Sequence, residues 1–271
     1  MLPDSAIRAR AIPRAAVRRT WQASLSRTAA IARHNAILIL REPGPLASRI
    51  ILPVAFLALM HPLYQAAQGQ AAGASQAVIA ALVLFSLLGL SIVGGSILTE
   101  RVWRTWGRLR MSPAHPAELL AGKAAPAMAA MLAQQSLIIG FGVTVLHLGV
   151  ASLPLLVMAL LAWTLTLLAM GAAIGVLARS LSELSVIYDV GGMLLSAAGG
   201  ALVPLAALPG WVRHIAPGSP GYWAVSVLDA ALRGDAAGTI RACLVLGGFA
   251  LAFGVFAALR AGRGAARSAT M

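Results

Sequence analysis

Charge is scarce in this sequence. Only 11% of its 271 residues are Asp, Glu, Lys or Arg, while 59% are hydrophobic and mean hydropathy is +0.84. Soluble domains carry about 25% charged residues, so the composition excludes an ordinary soluble fold. Cys243 is the single cysteine, which excludes an intrachain disulfide and a cysteine-based metal cluster and leaves packing as its expected role. A phosphate cradle is also missing: Gly122-Lys123 is followed by Ala124, with no glycine at the Walker A spacing. No HExxH, no GxSxG and no grouped His and carboxylates occur, so no catalytic residue, metal or cofactor is expected in the chain and it is not read as an enzyme. His61 and His147 stand alone near predicted outer ends, as polar caps.

Acidic groups are rarer still, with 8 against 21 basic residues and a net charge of +13. Ion-coupled transport requires ionisable groups inside the helix bundle. Glu183 and Asp189 come nearest, but at six residues apart they do not share a helical face. The shortage favours a transporter whose energy arrives from a partner, with an ion-driven transporter or channel as the alternative.

The basic residues sit between apolar runs. Residues 1–49 hold nine Arg against Asp4 and Glu42; residues 100–123 hold four Arg and Lys123 against Glu100 and Glu118; Arg260, Arg263 and Arg267 lie at the end. Lys- and Arg-rich short loops stay cytoplasmic. The connections near 66–76 and 147–153 carry no charge. Both termini are therefore predicted inside, in a bacterial inner membrane. The basic segments lack interleaved aromatics or a recognisable module, so nucleic acid is not an expected partner.

At about 20 apolar residues per crossing, the reading is an all-α polytopic membrane protein with six spans. They are predicted at about 46–66, 76–99, 119–148, 153–177, 184–203 and 239–259. A Gln/Gly/Ala linker joins the first two, and Pro53 and Pro62 are expected to kink the first. Before them, Val17, Trp21, Leu25, Ala29 and Ala32 share one helical face, with Arg18, Arg27 and Arg33 elsewhere. This predicts an amphipathic helix over about 16–40 at the inner interface, Trp21 and Leu25 entering the lipid, ended by Pro43-Gly44-Pro45. The domain division is thus a basic tail with this helix over 1–45 and a six-span unit over 46–271. Residues 204–238 pack Pro204, Pro209, Pro217 and Pro220 around Trp211, Tyr222 and Trp223, and predict an external re-entrant helical pair. Gly171 and Gly175 form a GxxxG, which suits either an interface or close packing within the chain.

The segment from Thr99 to Lys123 has the composition of a docking element. Glu100 and Arg104 are an i,i+4 pair, Trp103 and Trp106 are i,i+3 anchors, and Ser112-Pro113 ends the helix. Trp and Arg dominate binding hot spots. An ordinary cytoplasmic loop with interfacial Trp is the other reading.

This segment resembles the first cytoplasmic loop of ABC type-2 exporter permeases, Glu-Arg-x-x-Gly-Thr-x-x-x-Leu-x-x-x-Pro ending in Gly-Lys. Glu100, Arg101, Leu109, Ser112, Pro113, Gly122 and Lys123 match, while Arg104-Thr105 replaces Gly-Thr. Leu40-Arg-Glu-Pro43 and Val203-Pro-Leu-Ala-Ala-Leu-Pro-Gly-Trp211 with Ser219-Pro-Gly-Tyr222 are similar to the family's approach to its first span and its external region. The resemblance implies a type V exporter-like fold: an elbow helix, a coupling helix at about 100–113 bearing Glu100, Arg101, Trp103, Arg104, Trp106, Arg108, Arg110, Ser112 and Pro113, and a second cytoplasmic contact at Arg179, Ser180 and Glu183. It further implies two copies of the permease with two cytoplasmic ATPase subunits that bind ATP and Mg, membrane lipids around them, and a hydrophobic or amphipathic substrate passing between the copies near spans two and five. Among subfamilies the chain is most similar to daunorubicin-type drug exporters.

Overall fold

The computed structural model describes residues 21–41, 43–102 and 116–267, with side chains at 24–41, 44, 47–98 and 122–260. All its regular elements among these residues are helices: α1 (Trp21–Arg41), α2 (Pro43–Gln68), α3 (Gln70–Leu88), α4 (Ser91–Val102), α5 (Pro116–Val145), α6 (Leu153–Leu177), α7 (Leu181–Ala198), α8 (Gly210–Ile215), α9 (Pro220–Arg233) and α10 (Ala236–Arg267), with short 3-10 turns at Leu205–Ala207 and Ala216–Gly218. Six stretches are long and apolar enough to cross a bilayer: Ala47–Gln68, Gln70–Leu98, Gly122–Val145, Leu153–Leu177, Leu181–Ala198 and Ala236–Arg260.

Helices are the only way an isolated apolar segment can satisfy its backbone in lipid, which is why long apolar runs dictate this architecture. The second and fourth spans form the centre, 72% and 50% buried, against 17% for the first and last. α6 packs against α3, α4, α5, α9 and α10, and α3 against α2, α5, α7 and α9. Trp163, Tyr188, Leu57, Leu82, Leu87, Met131, Ile138, Leu167 and Leu228 fill the space between them. One polar cluster crosses this core: Gln135 Nε2 donates to Ser86 Oγ at 3.2 Å, and Thr164 Oγ1 donates to Gln135 Oε1 at 3.2 Å, all three residues being buried.

Several boundaries differ from the sequence reading. The linker expected at 66–76 shrinks to Gly69, at φ 84°. Ala and Gln are good helix formers, so both helices run to that glycine. Gly73 then lets α3 start against α2, since a Cβ there would fall 2.6 Å from Gln65 Cα. Tyr64 Oη donates to the Leu202 carbonyl at 2.7 Å, and Gln76 Nε2 donates to those of Gly200 and Ala201 at 3.1 and 2.6 Å. These bonds fasten the α2–α3 hairpin to the turn after span five. That turn starts at Gly199, because Gly200 takes φ 86°, so the fifth helix stops short of the expected 203. The third helix likewise stops at Val145, and the last extends beyond both expected ends. Span two is interrupted at Gly89–Leu90, dividing it into α3 and α4.

α1 lies along α5. Their closest approach is at Gly122, where a Cβ would fall 2.7 Å from Ile31 Cγ2 and 3.1 Å from the Thr28 carbonyl. Leu25, at 67% exposure, and Ala29 point away from the chain. Residues 16–20 and the side chain of Trp21 lie outside the described residues.

Candidate functional site

α4 carries the chain from the core toward the basic segment. Ser91 begins it two residues after Gly89, and its first turn packs on α6 and α7. Contact there is between backbones: a Cβ on Gly175 would lie 2.9 Å from Gly94 Cα, and one on Gly171 3.3 Å from the Leu90 carbonyl. The GxxxG of span four therefore serves packing within the chain. Tyr188, 1% exposed, closes the third side; its hydroxyl donates to the Gly171 carbonyl at 3.2 Å, and a Cβ on Gly94 would overlap that hydroxyl. Without a hydrophobic drive between helices in lipid, small residues secure them by close van der Waals contact. α4, α6 and α7 thus meet in a junction that only glycine at 94 permits.

Beyond that junction, Glu100 and Arg101 occupy the last turn of α4, with side chains outside the described residues; Trp103, Arg104, Trp106, Arg108, Arg110, Ser112 and Pro113 also lie outside them. The other predicted cytoplasmic residues come together at the start of α7. Ser180 Oγ accepts from the Glu183 amide at 3.1 Å, while Glu183 Oε2 accepts from the Arg179 amide at 2.9 Å. This reciprocal arrangement satisfies one amide that the helix start leaves open, that of Glu183, and the amide of the residue before the cap. Arg179 contributes its backbone to the arrangement, and its side chain is free to face outward.

Residues 26–232 match the family model described as ABC-2 type transporter. The chain belongs to that family. No curated protein matches it. As an ABC-2 family member it is a multi-pass membrane component of a transporter rather than a catalyst in its own right, and such permeases generally work with an ATPase partner subunit. Among the described residues, no group of three or more His, Cys, Asp or Glu could hold a metal.

On the far side of this permease, residues 199–235 form two helices joined by short 3-10 turns. Ser219 accepts from the Gly221 amide at 3.1 Å, with Pro220 in the first turn of α9, and Gly234 at φ 76° ends the helix. Ala224, Val227, Leu228 and Ala231 turn inward, and Gly221 touches the end of α7 at the Leu195 carbonyl. Pro220 is buried, Pro204 and Tyr222 half-buried, and Pro209 and Trp211 exposed, Trp211 at 68%. Trp223 Nε1 donates to the Pro217 carbonyl at 2.7 Å, tying α9 back over the preceding turn. A groove of about 270 Å3 between α9 and α10 is edged by Trp223, Ser226, Asp229, Arg233 and Arg241, with Asp229 and Arg233 ion-paired at 2.6 Å.

Two features were not foreseen from the sequence. The glycine junction joins positions from three separate spans, and no local pattern in the sequence pairs Gly94 with Tyr188. The second feature is Arg49. Its Nη2 reaches Ser91 Oγ at 3.5 Å, at the break in span two, while its Nη1 is buried with no partner among the described residues. The sequence reading counted it as one of the nine arginines of residues 1–49 and gave it no separate role.

Proposed function

We propose that this chain is the permease subunit of an ATP-driven exporter in the bacterial inner membrane, with both termini cytoplasmic, working as two copies with two cytoplasmic ATPase subunits that bind the ATP and Mg. Its elbow helix, 1–45 with the preceding tail, lies against the inner interface, and 46–271 form the transmembrane unit. The segment 100–113 is the coupling helix: Glu100 and Arg101 make ionic contacts at the base of span two, Arg104, Arg108 and Arg110 form the docking surface, Trp103 and Trp106 anchor it, and Ser112-Pro113 end it. Arg179, Ser180 and Glu183 form the second contact. Substrate is hydrophobic or amphipathic, of the drug, lipid-like or secondary-metabolite kind handled by daunorubicin-type exporters, and it passes between the two copies. The exposed apolar stripe of α7 at Ile187 and Leu194 suits such a route.

The observation that carries this reading is α4. It is separated from α3 by the Gly89–Leu90 break, seated on α6 and α7 through glycine contacts, and followed in the sequence by the Arg- and Trp-rich segment. Alternating access needs an element whose two positions the nucleotide state of the partner biases, and α4 has that form.

The test is a triple variant, Trp106→Ala with Arg104→Glu and Arg108→Glu, in the full-length permease. Loss of an anchor and its flanking charges costs about 2 kcal/mol or more when they form a hot spot. ATPase capture and substrate-stimulated ATP hydrolysis should both fall, with membrane insertion unchanged. Wild-type values for both would overturn the coupling assignment.

A further inference from the structure

Six charged side chains lie inside the candidate spans: Arg49, Lys123, Glu183, Asp189, Arg241 and Arg260. Lys123, Glu183 and Arg260 stand at span ends, and Arg241 lies in the outer half of the last span. Arg49 and Asp189 are different. The Arg49 guanidinium reaches Ser91 and keeps Nη1 buried with no partner among the described residues. Asp189, roughly two turns beyond Leu181, is exposed and makes no hydrogen bond or ion pair among the described residues.

These opposite charges lie at one depth. α4 runs inward where α7 runs outward; Tyr188 faces Gly94, and Gly192 faces Leu87 and Leu88. Ser91, between those two levels, is therefore level with residues 189–191, and the guanidinium at Ser91 stands at the height of the Asp189 carboxylate. Within the chain α2 packs chiefly on α3, whereas α7 packs on α3 and α4. Charged groups at such a depth face protein or a water-filled cavity, and pair.

A two-fold axis along the membrane normal carries each residue to the same depth in a second copy, and an isologous interface makes every contact twice. We infer that two copies of this chain meet through α2 and α7, the Asp189 carboxylate of each accepting from Nη2 of the Arg49 guanidinium of the other. The apolar rims are Ile50 and Ile51 on α2 and Val186, Val190 and Met193 on α7, all exposed in the single chain. The inference rests on the two-copy reading above and adds to it the contact that sets the register of the copies.

The experiment uses the full chain in nanodiscs with Cys243→Ala. A chain carrying both Arg49→Cys and Asp189→Cys, treated with a short bifunctional thiol reagent, should give a covalent dimer in far higher yield than either single cysteine. In parallel, Arg49→Asp or Asp189→Arg alone should weaken dimerisation by about tenfold or more, as loss of one member of a buried charge pair does. The exchanged pair, Arg49→Asp with Asp189→Arg, should recover most of it. A dimer by light scattering that neither cross-links at these positions nor responds to the exchange overturns the pair while leaving the two-copy reading intact. A wild-type chain that stays monomeric overturns both.

Discussion

Replacing Gly94 and Gly95 by alanine should move stability in opposite directions, although the two are neighbours in one helix. In a helix interior the exchange favours folding by about 1 kcal/mol, from reduced backbone entropy. At Gly95 a Cβ meets nothing within 4 Å, so Gly95→Ala should be neutral or stabilising by up to about 1 kcal/mol. At Gly94 the same methyl overlaps Tyr188 Oη and lies 2.8 Å from Tyr188 Cζ and 2.9 Å from the Gly171 carbonyl. Overpacking of this kind costs about 1–3 kcal/mol. Displacing Tyr188 also forfeits its bond to Gly171, worth about 0.6 kcal/mol on average in a membrane protein. The net for Gly94→Ala is a loss of about 0.5–2.5 kcal/mol once the helix preference for alanine is set against these costs. Thermal unfolding of the purified permease in detergent, followed by size-exclusion fluorescence, reads the difference. Tyr188→Phe removes the hydroxyl that the new methyl overlaps, so it should restore part of the loss when combined with Gly94→Ala. A Gly94→Ala protein as stable as Gly95→Ala would refute the three-helix junction.

The buried polar cluster gives a second expectation: Gln135→Leu leaves Ser86 and Thr164 without their shared partner and should cost about 1 kcal/mol in the same melts, from two bonds at about 0.6 kcal/mol each. Ser180→Ala should remove about 1 kcal/mol from the start of α7, seen as faster hydrogen exchange over 179–184. Ser185→Ala, whose hydroxyl only bonds back to Leu181, should leave that exchange unchanged. Single cysteines at Ser112 and Gly218, with Cys243 replaced, should label from opposite sides of the membrane, and equal labelling from outside would overturn the proposed topology.

Six spans were legible because hydropathy accumulates over about 20 residues and isolated charges such as Asp189 and Arg241 are too few to offset it. Their ends were less so. The stretch from Ala66 to Gln76 reads as a linker by composition, yet Gln and Ala hold helix until Gly69 takes a left-handed φ. The break at Gly89–Leu90 left no trace in the pattern, since apolar residues flank it on both sides and lipid rewards them whether or not the helix is continuous. α9 was easier to foresee, since Pro220 behind Ser219 and Gly234 at its end are start and stop signals. For the site, Ser180 and Glu183 stand at capping-box spacing, so their local contact could have been found by spacing alone. Gly94 against Tyr188 could not, because the pairing depends on which spans become neighbours. Asp189 was read by its angle to Glu183, whereas its meaning lies in its depth relative to Arg49, which only the packing of α4 on α7 discloses.

The Gly89–Leu90 break gives span two unequal mechanical allegiances. Its first part, α3, is fastened to α2 at Gly73 and to the turn after span five through Gln76. Its second part, α4, about 18 Å of helix at 1.5 Å per residue, is seated in the α6–α7 groove with no clearance for even one methyl at Gly94. A push delivered at Val102 therefore has little room to be absorbed by side chains giving way. It must either swing α4 about Gly89–Leu90 or carry α7 with it, and in the second case the exposed face of span five is displaced by a force applied to span two.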